Sequence, residues 1–328
     1  MIDPTKITVL ICTYNRCESL RKTIESVAAQ RFTHPVAWEI LVVDNNSKDE
    51  THRVVDSFQM EYPERFRYIL ESKQGVSHAR NAGVRAARGE IIAFIDDDET
   101  ADPTWLETLT SHLHSGDWAG TGGRVCPTSG ITLPDWLKAD SWFAKGPLAS
   151  FDAGPDTRQM NEPPFGANMA FRKDVFVICG LFRTDLGRSG NNLISNEDTE
   201  FGRRVMGAGL RIRYEPDAVA YHPVEQNRLS KDYFLTWWFN KGRSDLRELG
   251  TQTGSFRLAG ISLGLFRALL VGTVRWMRAF QPSERFGWKV QVWNCAGQIY
   301  ESYLQWLNTR RSRPDRGLVT GPTGKLDN

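Results

Sequence analysis

The chain has 328 residues, of which 40% are hydrophobic and 24% are charged, and this composition predicts a globular protein with a sizeable core. Its five cysteines include no C-x-x-C pair, which argues against a disulfide scaffold or a zinc ribbon and predicts a reducing, cytoplasmic compartment. A formal net charge of +2 excludes a strongly basic nucleic-acid binder, so no nucleic-acid partner is expected.

The first half of the chain alternates short apolar runs with helical patterns. Strands are predicted at 7–12, 38–44, 66–70 and 90–96, and helices at 19–30, after the polar residues 45–47 to about 59, and at 75–88. The first strand starts at Ile7, which leaves no room for a cleaved signal peptide. This alternation predicts parallel βαβ units with helices on both faces of a sheet. Ligands bind at the carboxyl ends of such strands, which draws attention to 13–15, 44–47 and 96–98.

The second half is less regular. Six prolines lie between 126 and 164, where we expect a loop-rich insertion that covers one edge of the site. A strand at 166–171, a Gly/Asn-rich loop at 186–196, a helix at 197–208 and a strand at 210–222 follow. Ser230 is a predicted N-cap, and everything from there to about 308 is predicted helical. The expected domains are therefore a sheet domain over 1–225, a helical region over 226–308 and a disordered tail over 309–328.

The helical region has its own composition. From Gln226 onward there are 16 Lys and Arg against 7 Asp and Glu, and six of the eleven tryptophans. If 256–280 is one helix at about 100° per residue, its four arginines share an arc of about 80° opposite a broad apolar face. That pattern predicts a helix at an anionic membrane surface, peripheral to the inner face of the cell membrane. The alternative is that this face packs against neighbouring helices or a second subunit; a spanning helix is the least favoured option.

An acidic triplet, Asp96-Asp97-Asp98, ends the fourth predicted strand. Three adjacent carboxylates repel one another, and burying them without a cation is costly. In extended backbone Asp96 and Asp98 would point to one face, a pair suited to Mg²⁺ or Mn²⁺ that also binds phosphate oxygens. The alternative is an acidic loop solvated at the surface.

Six motifs in order resemble the family 2 glycosyltransferases, enzymes of the GT-A fold. They are VLICTYNR at 9–16, ILVVDNNSKDET at 40–51, GVSHARNAG at 75–83, IIAFIDDDE at 91–99, GANMAFRKDVF at 166–176 and NEDTEFGRRV at 196–205. The resemblance covers about residues 5–225. It implies an α/β fold, a mostly parallel twisted sheet flanked by helices, here followed by an all-helical C-terminal region.

The resemblance also implies a pocket for a nucleoside diphosphate-sugar donor. Thr13 and Asp44 would line the nucleoside part, with Asn15 in the same donor-binding set and Arg80 near the base or the phosphates. A carboxylate can accept from a base or ribose, and an arginine can bridge phosphate oxygens. Without the resemblance, a turn-initiating aspartate is a plausible alternative for Asp44, and an exposed helix arginine is the better interpretation of Arg80.

For the acidic triplet, the resemblance implies that Asp98 ligates Mn²⁺ or Mg²⁺ and that Asp96 or Asp97 meets the ribose. Asp96 is also a candidate metal ligand. His222, at the end of a predicted strand, is a candidate third ligand; the alternative is a packed or solvent-facing histidine.

The resemblance assigns the catalytic base to Asp198 in the Glu197-Asp198 pair. Inverting transfer needs one carboxylate to take the proton of the acceptor hydroxyl, and a metal can stabilise the diphosphate leaving group. A single base therefore suffices, unlike the carboxylate pair of a glycosidase. The alternative is that Asn196, Glu197 and Asp198 only cap a helix.

Missing motifs narrow the function. No G-x-G-x-x-G follows the first strand, which disfavours a dinucleotide-dependent dehydrogenase, and there is no Walker A motif either. The Q-x-x-R-W signature of processive family members is absent, which predicts addition of a single sugar to a saccharide or lipid-linked acceptor, for cell-envelope polysaccharide or glycolipid synthesis. UDP is the commonest donor nucleotide in the family, and GDP and dTDP are alternatives. The rival classes are a nucleotidyltransferase and a non-catalytic nucleotide-sugar-binding protein.

Overall fold

A mixed nine-stranded sheet forms the centre of the protein in the computed structural model, which describes residues 6–311 except 129, 131, 191 and 251–256. The strands are β1 (Ile7–Thr13), β2 (Trp38–Asp44), β3 (Phe66–Leu70), β4 (Ile91–Asp96), β5 (Thr100–Ala101), β6 (Gly120–Pro127), β7 (Arg158–Gln159), β8 (Asn168–Arg172), β9 (Ile212–His222), β10 (Arg257–Leu258) and β11 (Ile261–Ser262). The helices are α1 (Cys17–Ala28), α2 (Thr51–Glu61), α3 (Val76–Ala86), α4 (Trp105–Thr110), α5 (Val175–Cys179), α6 (Glu197–Gly207), α7 (Lys231–Leu249), α8 (Leu263–Arg278) and α9 (Pro282–Arg311).

The sheet order is β3-β2-β1-β4-β8-β6-β9-β5, with β7 also paired to β9. Strands β3, β2, β1 and β4 are parallel, and Thr13 is in register with Asp44 while Cys12 is in register with Asp96. The carboxyl ends of three strands therefore meet at one edge, as the sequence predicted. The α/β fold class is confirmed.

Strand β6 lies in the middle of the mixed half, antiparallel to β8 and parallel to β9, and the sequence did not predict it. Its segment begins with Gly120 and includes Gly123, residues that usually weaken a strand. A Cβ at Gly120 would collide with the Phe171 ring, and one at Gly123 would collide with Asn168. The glycines are thus required because large side chains of β8 lie against the backbone of β6.

Apolar side chains cover both faces of the sheet, as expected of βαβ units. One cluster joins alternate residues of β1 to α1, α2 and α4, and Trp105 of α4 is completely buried in it. The other joins the remaining alternate residues to α3, α5 and α6, with Phe201 stacked on Phe176 at 4.7 Å between ring centroids. These two layers fix the carboxyl edge of the sheet and the start of α6, where the site lies.

The C-terminal region is mainly helical, as predicted. Helices α7 and α9 pack so closely that a Cβ at Gly297 would collide with the backbone of Phe239. The Ser230 hydroxyl accepts from the Tyr233 amide at 3.2 Å, which confirms the predicted N-cap. A third hydrophobic cluster joins α7 and α9 to the irregular segment before β7, through Phe143, Phe234 and others.

The prediction of one continuous helix over 256–280 is wrong at its start. Residues 257–262 form the β10–β11 hairpin, and α8 begins only at Leu263. Ser262 caps the start of this helix, because its hydroxyl accepts from the Gly264 amide at 3.1 Å. Of the predicted tail, 309–311 belong to α9 and 312–328 lie outside the described residues. Within the part of the chain that the structure describes, no helix is both long enough and apolar enough to cross a membrane.

Candidate active site

The first part of the site is the polar end of β1 and β2. Thr13 is buried. Asp44 is also buried, and its carboxylate accepts from the Ser47 amide at 2.8 Å and from the Tyr68 hydroxyl at 2.8 Å. Asp44 therefore does initiate the turn after β2, the arrangement of the alternative reading, and it lies beside Thr13 in the sheet register. Asn15, at a φ of 52°, fastens the two loops together because its side chain accepts from the Lys48 amide at 2.6 Å.

The acidic triplet is a turn and not an extended strand. Strand β4 ends at Asp96, and the Glu99 amide donates back to the Asp96 carbonyl at 3.3 Å. The expectation that Asp96 and Asp98 share a face is therefore wrong, because it assumed extended backbone through Asp98. Instead Asp97 and Asp98 both face the Arg16 guanidinium, at 3.1 and 2.6 Å. Asp97 and Asp98 are largely buried, so the reading of a solvated loop fails for these two residues.

Asp98 is surrounded by nitrogen-containing side chains. Besides Arg16, its Oδ2 lies 3.4 Å from Arg228 Nη2 and 3.6 Å from His222 Nε2. Although burial opposes it, the facing His222 and these guanidinium groups hold the pKa of Asp98 well below its usual range. Asp97 is shifted the other way: burial raises its pKa against the pull of Arg16. Of these two carboxylates, Asp98 is thus the one more strongly held in its charged form.

His222 is buried at the end of β9, which excludes the solvent-facing alternative. Its Nε2 lies 3.1 Å from Arg228 Nη1. The other ring nitrogen, Nδ1, is buried without a hydrogen-bond partner among the described residues. Imidazole nitrogens are common metal ligands, and Nε2, which lies beside Asp98, is therefore the candidate ligand atom.

A divalent cation is compatible with these side chains. Among the described residues no group of three or more His, Cys, Asp and Glu has the arrangement of a complete metal site. However, Asp98 and His222 face each other at 3.6 Å, and cations that bind nucleotide phosphates need only one or two protein ligands because the phosphates supply others. Asp96 points elsewhere, toward Arg80 at 3.4 Å, and is partly exposed.

Arg80 connects the acidic turn to the second acidic pair. It is 4% exposed, so the alternative of an exposed helix arginine is wrong. Its guanidinium contacts Asp96 at 3.4 Å, Glu197 at 2.7 Å and the Gly166 carbonyl at 3.3 Å. Burial raises the pKa of Glu197, and the charge of Arg80 opposes that rise. One buried guanidinium therefore links the end of β4, the segment just before β8 and the start of α6.

Asp198 lies in the first turn of α6 and is half-buried. Its Oδ2 accepts from the Gly166 amide at 2.6 Å and its Oδ1 from the Thr199 amide at 2.7 Å. A Cβ at Gly166 would lie 2.7 Å from Asp198 Oδ2 and 2.8 Å from Arg80 Nη2. Only glycine allows both side chains to reach this point. The carboxylate is consequently fixed in orientation.

The start of α6 is not capped in the usual way. Asn196 has a φ of 76° and makes no side-chain cap. Its side-chain amide donates to the carboxylates of Asp245 at 2.8 Å and Glu248 at 2.7 Å, both on α7. The neighbouring Ser195 amide donates to the Ser244 hydroxyl at 2.9 Å. The reading in which 196–198 only cap a helix is therefore insufficient, because Asn196 attaches the acidic pair to the C-terminal region.

The sequence analysis missed three residues of this site, Arg16, Gly166 and Arg228, and considered Asn196 only as part of a helix cap. Arg16 and Gly166 both lie inside recognised motifs. The positive charge of Arg16 could have indicated a partner for the acidic triplet, and the lack of a side chain at Gly166 could have indicated close packing. Arg228 had no such signal, because it reaches Asp98 across 130 residues of sequence. Its position depends on the short 3₁₀ turn between β9 and α7.

A sheet with this order, an acidic turn after β4 and a second acidic pair at a helix start define a GT-A-type glycosyltransferase. The family model described as Glycosyl transferase family 2 matches residues 8–177, and the chain belongs to this family, which confirms the resemblance seen in the sequence. The chain is 29% identical to a glucosyl-dolichyl phosphate glucuronosyltransferase of Haloferax volcanii, over 71% of this chain and 74% of that protein. It is 28% identical to the succinoglycan biosynthesis protein ExoM of Rhizobium meliloti, over 77% of this chain and 78% of that protein.

A solved structure shares the fold. The mannosyltransferase PcManGT from Pyrobaculum calidifontis, solved in complex with GDP-Man and Mn²⁺, superposes with a TM-score of 0.62. The match covers 93% of this chain and 90% of that one, at 17% sequence identity. The likeness extends beyond the sheet domain, since it covers more of the chain than residues 6–225.

Proposed function

We propose that this protein is a metal-dependent, inverting glycosyltransferase that moves a single sugar from a nucleoside diphosphate-sugar to an acceptor hydroxyl. The observation that carries the proposal is the Arg80 bridge: one buried guanidinium contacts Asp96 after β4 and Glu197 beside Asp198. It brings a donor-binding acidic turn and a candidate base to one cleft. A binding module would need the first of these features but not the second.

Asp198 is the proposed base. The acceptor oxygen attacks the anomeric carbon from the face opposite the diphosphate and passes its proton to the Asp198 carboxylate. The bond from the anomeric carbon to the diphosphate oxygen breaks, and its electron pair leaves with the nucleoside diphosphate. Attack from the opposite face inverts the anomeric configuration. The Gly166 and Thr199 amides orient the carboxylate for this transfer.

The donor is proposed to bind along the carboxyl edge of the sheet. Thr13, Asn15 and Asp44 would line the nucleoside pocket, and Asp96 or Asp97 would meet the ribose. These oxygen-rich side chains suit the polar groups of a base and a ribose. Both Asp44 oxygens already have partners, so contact with the nucleoside would add to or replace the Tyr68 bond.

Asp98 and His222 would hold Mn²⁺ or Mg²⁺, which when bound supplies charge stabilisation to the leaving diphosphate. Arg16 and Arg228 already lie beside Asp98, and each can donate to diphosphate oxygens. The solved mannosyltransferase of the same fold contains Mn²⁺ with a nucleoside diphosphate-sugar, which supports this assignment. Since its nucleotide is GDP, a GDP-sugar is an alternative to the UDP-sugar suggested by family frequency.

The acceptor is proposed to be a saccharide or a lipid-linked compound in polysaccharide or glycolipid synthesis, used at the cytoplasmic face of a membrane. The names of the two sequence relatives support this, because one includes dolichyl phosphate and the other succinoglycan. The absence of the processive signature supports addition of one sugar per binding event. On this view the enzyme associates with the membrane peripherally.

A panel of UDP-, GDP- and dTDP-sugars with Mn²⁺ or Mg²⁺ tests the proposal. We expect release of a nucleoside diphosphate that depends on an added acceptor, and a product of inverted configuration by NMR. Asp98→Asn should abolish the Mn²⁺-dependent part of donor affinity in calorimetry, whereas Asp174→Asn, at an exposed carboxylate paired with Arg172, should not. Pyrophosphate release from a sugar phosphate and a nucleoside triphosphate would instead establish a nucleotidyltransferase. Donor binding without turnover with saccharide and lipid-phosphate acceptors would favour a binding protein.

A further inference from the structure

Helix α8 exposes an unusual amount of apolar side chain. Leu270 is 65% exposed, Met277 is 66% exposed and Phe280, just after the helix, is 96% exposed. The other large apolar residues exposed in this segment are Leu263, Phe266, Val271 and Val274. A contiguous row of this kind is rare on a surface that contacts only water, because soluble proteins seldom leave large apolar patches uncovered.

The opposite side of α8 has a packing partner. Gly272 is buried, and a Cβ there would lie 3.2 Å from Val292 of α9. Trp276 meets Trp293 of α9 edge to face at 6.2 Å between ring centroids. These contacts fix the rotation of the helix about its axis. The exposed row is therefore the outer face of a docked helix.

Positive charge lies along one side of that row. At about 100° per residue, Phe266, Leu270, Leu263, Met277 and Val274 span about 80° of the circumference. At the same angle per residue, the three arginines occupy about 80° of the circumference next to this row. They are Arg267, Arg278 and Arg275. The basic and apolar stripes therefore run side by side. The sequence predicted them on opposite faces, and it erred because it could not tell which apolar residues α9 covers.

These arginines form no ion pair with a carboxylate among the described residues. The sequence contains no Asp or Glu between Glu248 and Glu284. Arg267 and Arg278 form no ion pair with the described residues, and Arg275 stacks over Trp288 at 4.7 Å. This differs from the sheet domain, where Arg16, Arg80 and their acidic partners are joined in ion pairs. An anionic surface that also offers hydrocarbon complements both stripes at once.

A cavity of about 710 Å³ opens where α8 meets the start of α9. Its walls include Leu270, Val274 and Phe280, together with Arg275 and Arg278. One carboxylate, Glu284, also lines it and accepts from the Trp288 indole at 3.4 Å. An apolar wall next to two guanidinium groups suits a phospholipid, whose phosphate is anionic and whose chains are apolar.

We propose that the outer face of α8, together with this cavity, is the surface through which the enzyme docks on an anionic lipid bilayer. The helix lies along the headgroup region, its apolar row enters the acyl boundary and its arginines contact lipid phosphates. The inference deepens the peripheral membrane association proposed above by naming the contact surface. It also gives the enzyme a fixed orientation, because α8 packs on α9, α9 packs on α7, and α7 holds Asn196 beside the candidate base.

Flotation with vesicles of phosphatidylcholine, with and without about one third phosphatidylglycerol, tests the surface on the full chain. We expect binding only to the anionic vesicles, weakened at high salt. A triple variant should lower the partition coefficient by about 100-fold or more, because each basic residue contributes about fivefold. Its substitutions are Arg267→Glu, Arg275→Glu and Arg278→Glu. Leu270→Ser with Met277→Ser should weaken binding at low and high salt alike. Hydrogen exchange should slow on vesicle binding at 263–281.

Two control variants test whether binding depends on this surface and not simply on net charge or on exposed apolar residues elsewhere. Arg53→Glu with Arg85→Glu alters net charge on α2 and α3, and Val177→Ser with Ile178→Ser removes exposed apolar residues of α5. Both pairs should leave vesicle binding unchanged. Every variant should keep the wild-type affinity for Mn²⁺ measured by calorimetry, which distinguishes failure of docking from failure of the proposed catalytic site.

Three results would overturn the proposal: equal binding to neutral vesicles, full binding by the triple arginine variant, or exchange protection confined to another part of the chain. A stable dimer that the Leu270 and Met277 substitutions dissociate would show that a second copy covers α8 instead. Inorganic phosphate and glycerol phosphate serve as soluble probes. Protection of 263–281 by either of these without vesicles would identify an anion site and not a bilayer surface.

Discussion

The carboxyl edge of the sheet and the outer face of α8 use charge in opposite ways. At the sheet edge, charged groups are paired and mostly buried: Arg80 with Glu197, and the exposed Arg16 with the largely buried Asp97 and Asp98. On α8 the arginines are exposed, form no ion pair within the described part of the chain and are bordered by apolar side chains. Buried pairs require fixed geometry, which suits a small ligand of defined shape. Exposed stripes require only a complementary plane, which suits an extended surface.

The two regions are nevertheless joined. Asn196 connects the start of α6 to α7, and Glu301 of α9 is buried between Arg243 and Arg247 of α7. Removing one partner of such a buried pair is strongly destabilising, so the α7–α9 contact is a rigid link. Experiments that change one region and measure the other can therefore test how far their roles are separate.

The largest effect is expected at Asp198. Asp198→Asn keeps the shape of the side chain but cannot take a proton, so turnover should fall by about 10²–10⁴-fold while Mn²⁺ affinity and vesicle binding stay unchanged. Glu200→Gln is the matched control, because Glu200 lies in the same helical turn but pairs with Arg204. Steady-state kinetics with an accepted donor measure both variants. Near-native turnover of Asp198→Asn would exclude it as the base.

A smaller loss is expected at Gly166. Gly166→Ala would place a Cβ within 2.8 Å of both Asp198 and Arg80, so the two side chains must move apart. A displacement of this size should lower turnover by about 10- to 100-fold with little change in the melting temperature. Gly207→Ala, at a helical glycine with open space around it, should leave turnover unchanged. If Gly166→Ala is as active as wild type, the orientation of Asp198 does not matter for catalysis.

Much of the sheet domain could be predicted from sequence because its signals are local. The bounds of β2 and β3 agree with the predicted ones. Strand β2 is a largely apolar run that is buried along nearly its whole length, whereas β3 is a half-buried edge strand. Strand β6 was missed because its glycines disfavour a strand in the sequence alone. The need for glycine becomes visible only in the folded protein, where Phe171 and Asn168 pack against the backbone of β6. Helix α4 was missed as well; it has only six residues and so offers little periodicity.

The sequence identified most residues of the site but not which of them contact one another. The sequence located the acidic residues, but extended geometry was the wrong assumption for 96–98, because a turn closes after Asp96. Contacts such as Arg228 to Asp98 join distant parts of the chain, and no spacing rule reports them. On α8, periodicity alone placed the arginines opposite the apolar face, since burial by α9 is a tertiary property.

The smallest effect is expected where the two regions meet, at Asn196. Asn196→Gly retains a residue that adopts positive φ freely but removes the amide that donates to Asp245 and Glu248. Loss of these bonds should lower the free energy of unfolding by about 1–2 kcal/mol. Because the same residue precedes the acidic pair, turnover should fall by roughly 10-fold through a less fixed Asp198.

Ala259→Gly is the control for this substitution, because Ala259 also has a positive φ, 48°, but has no polar side chain to lose. It should leave both stability in urea and turnover at or above the wild-type level, since glycine relieves strain there. Vesicle binding by Asn196→Gly should equal that of wild type, because α8 does not contact residue 196 in any hydrogen bond of the described chain. If Asn196→Gly instead loses membrane binding together with turnover, the C-terminal region unfolds with the site, and the two surfaces are not separable functions of one rigid enzyme.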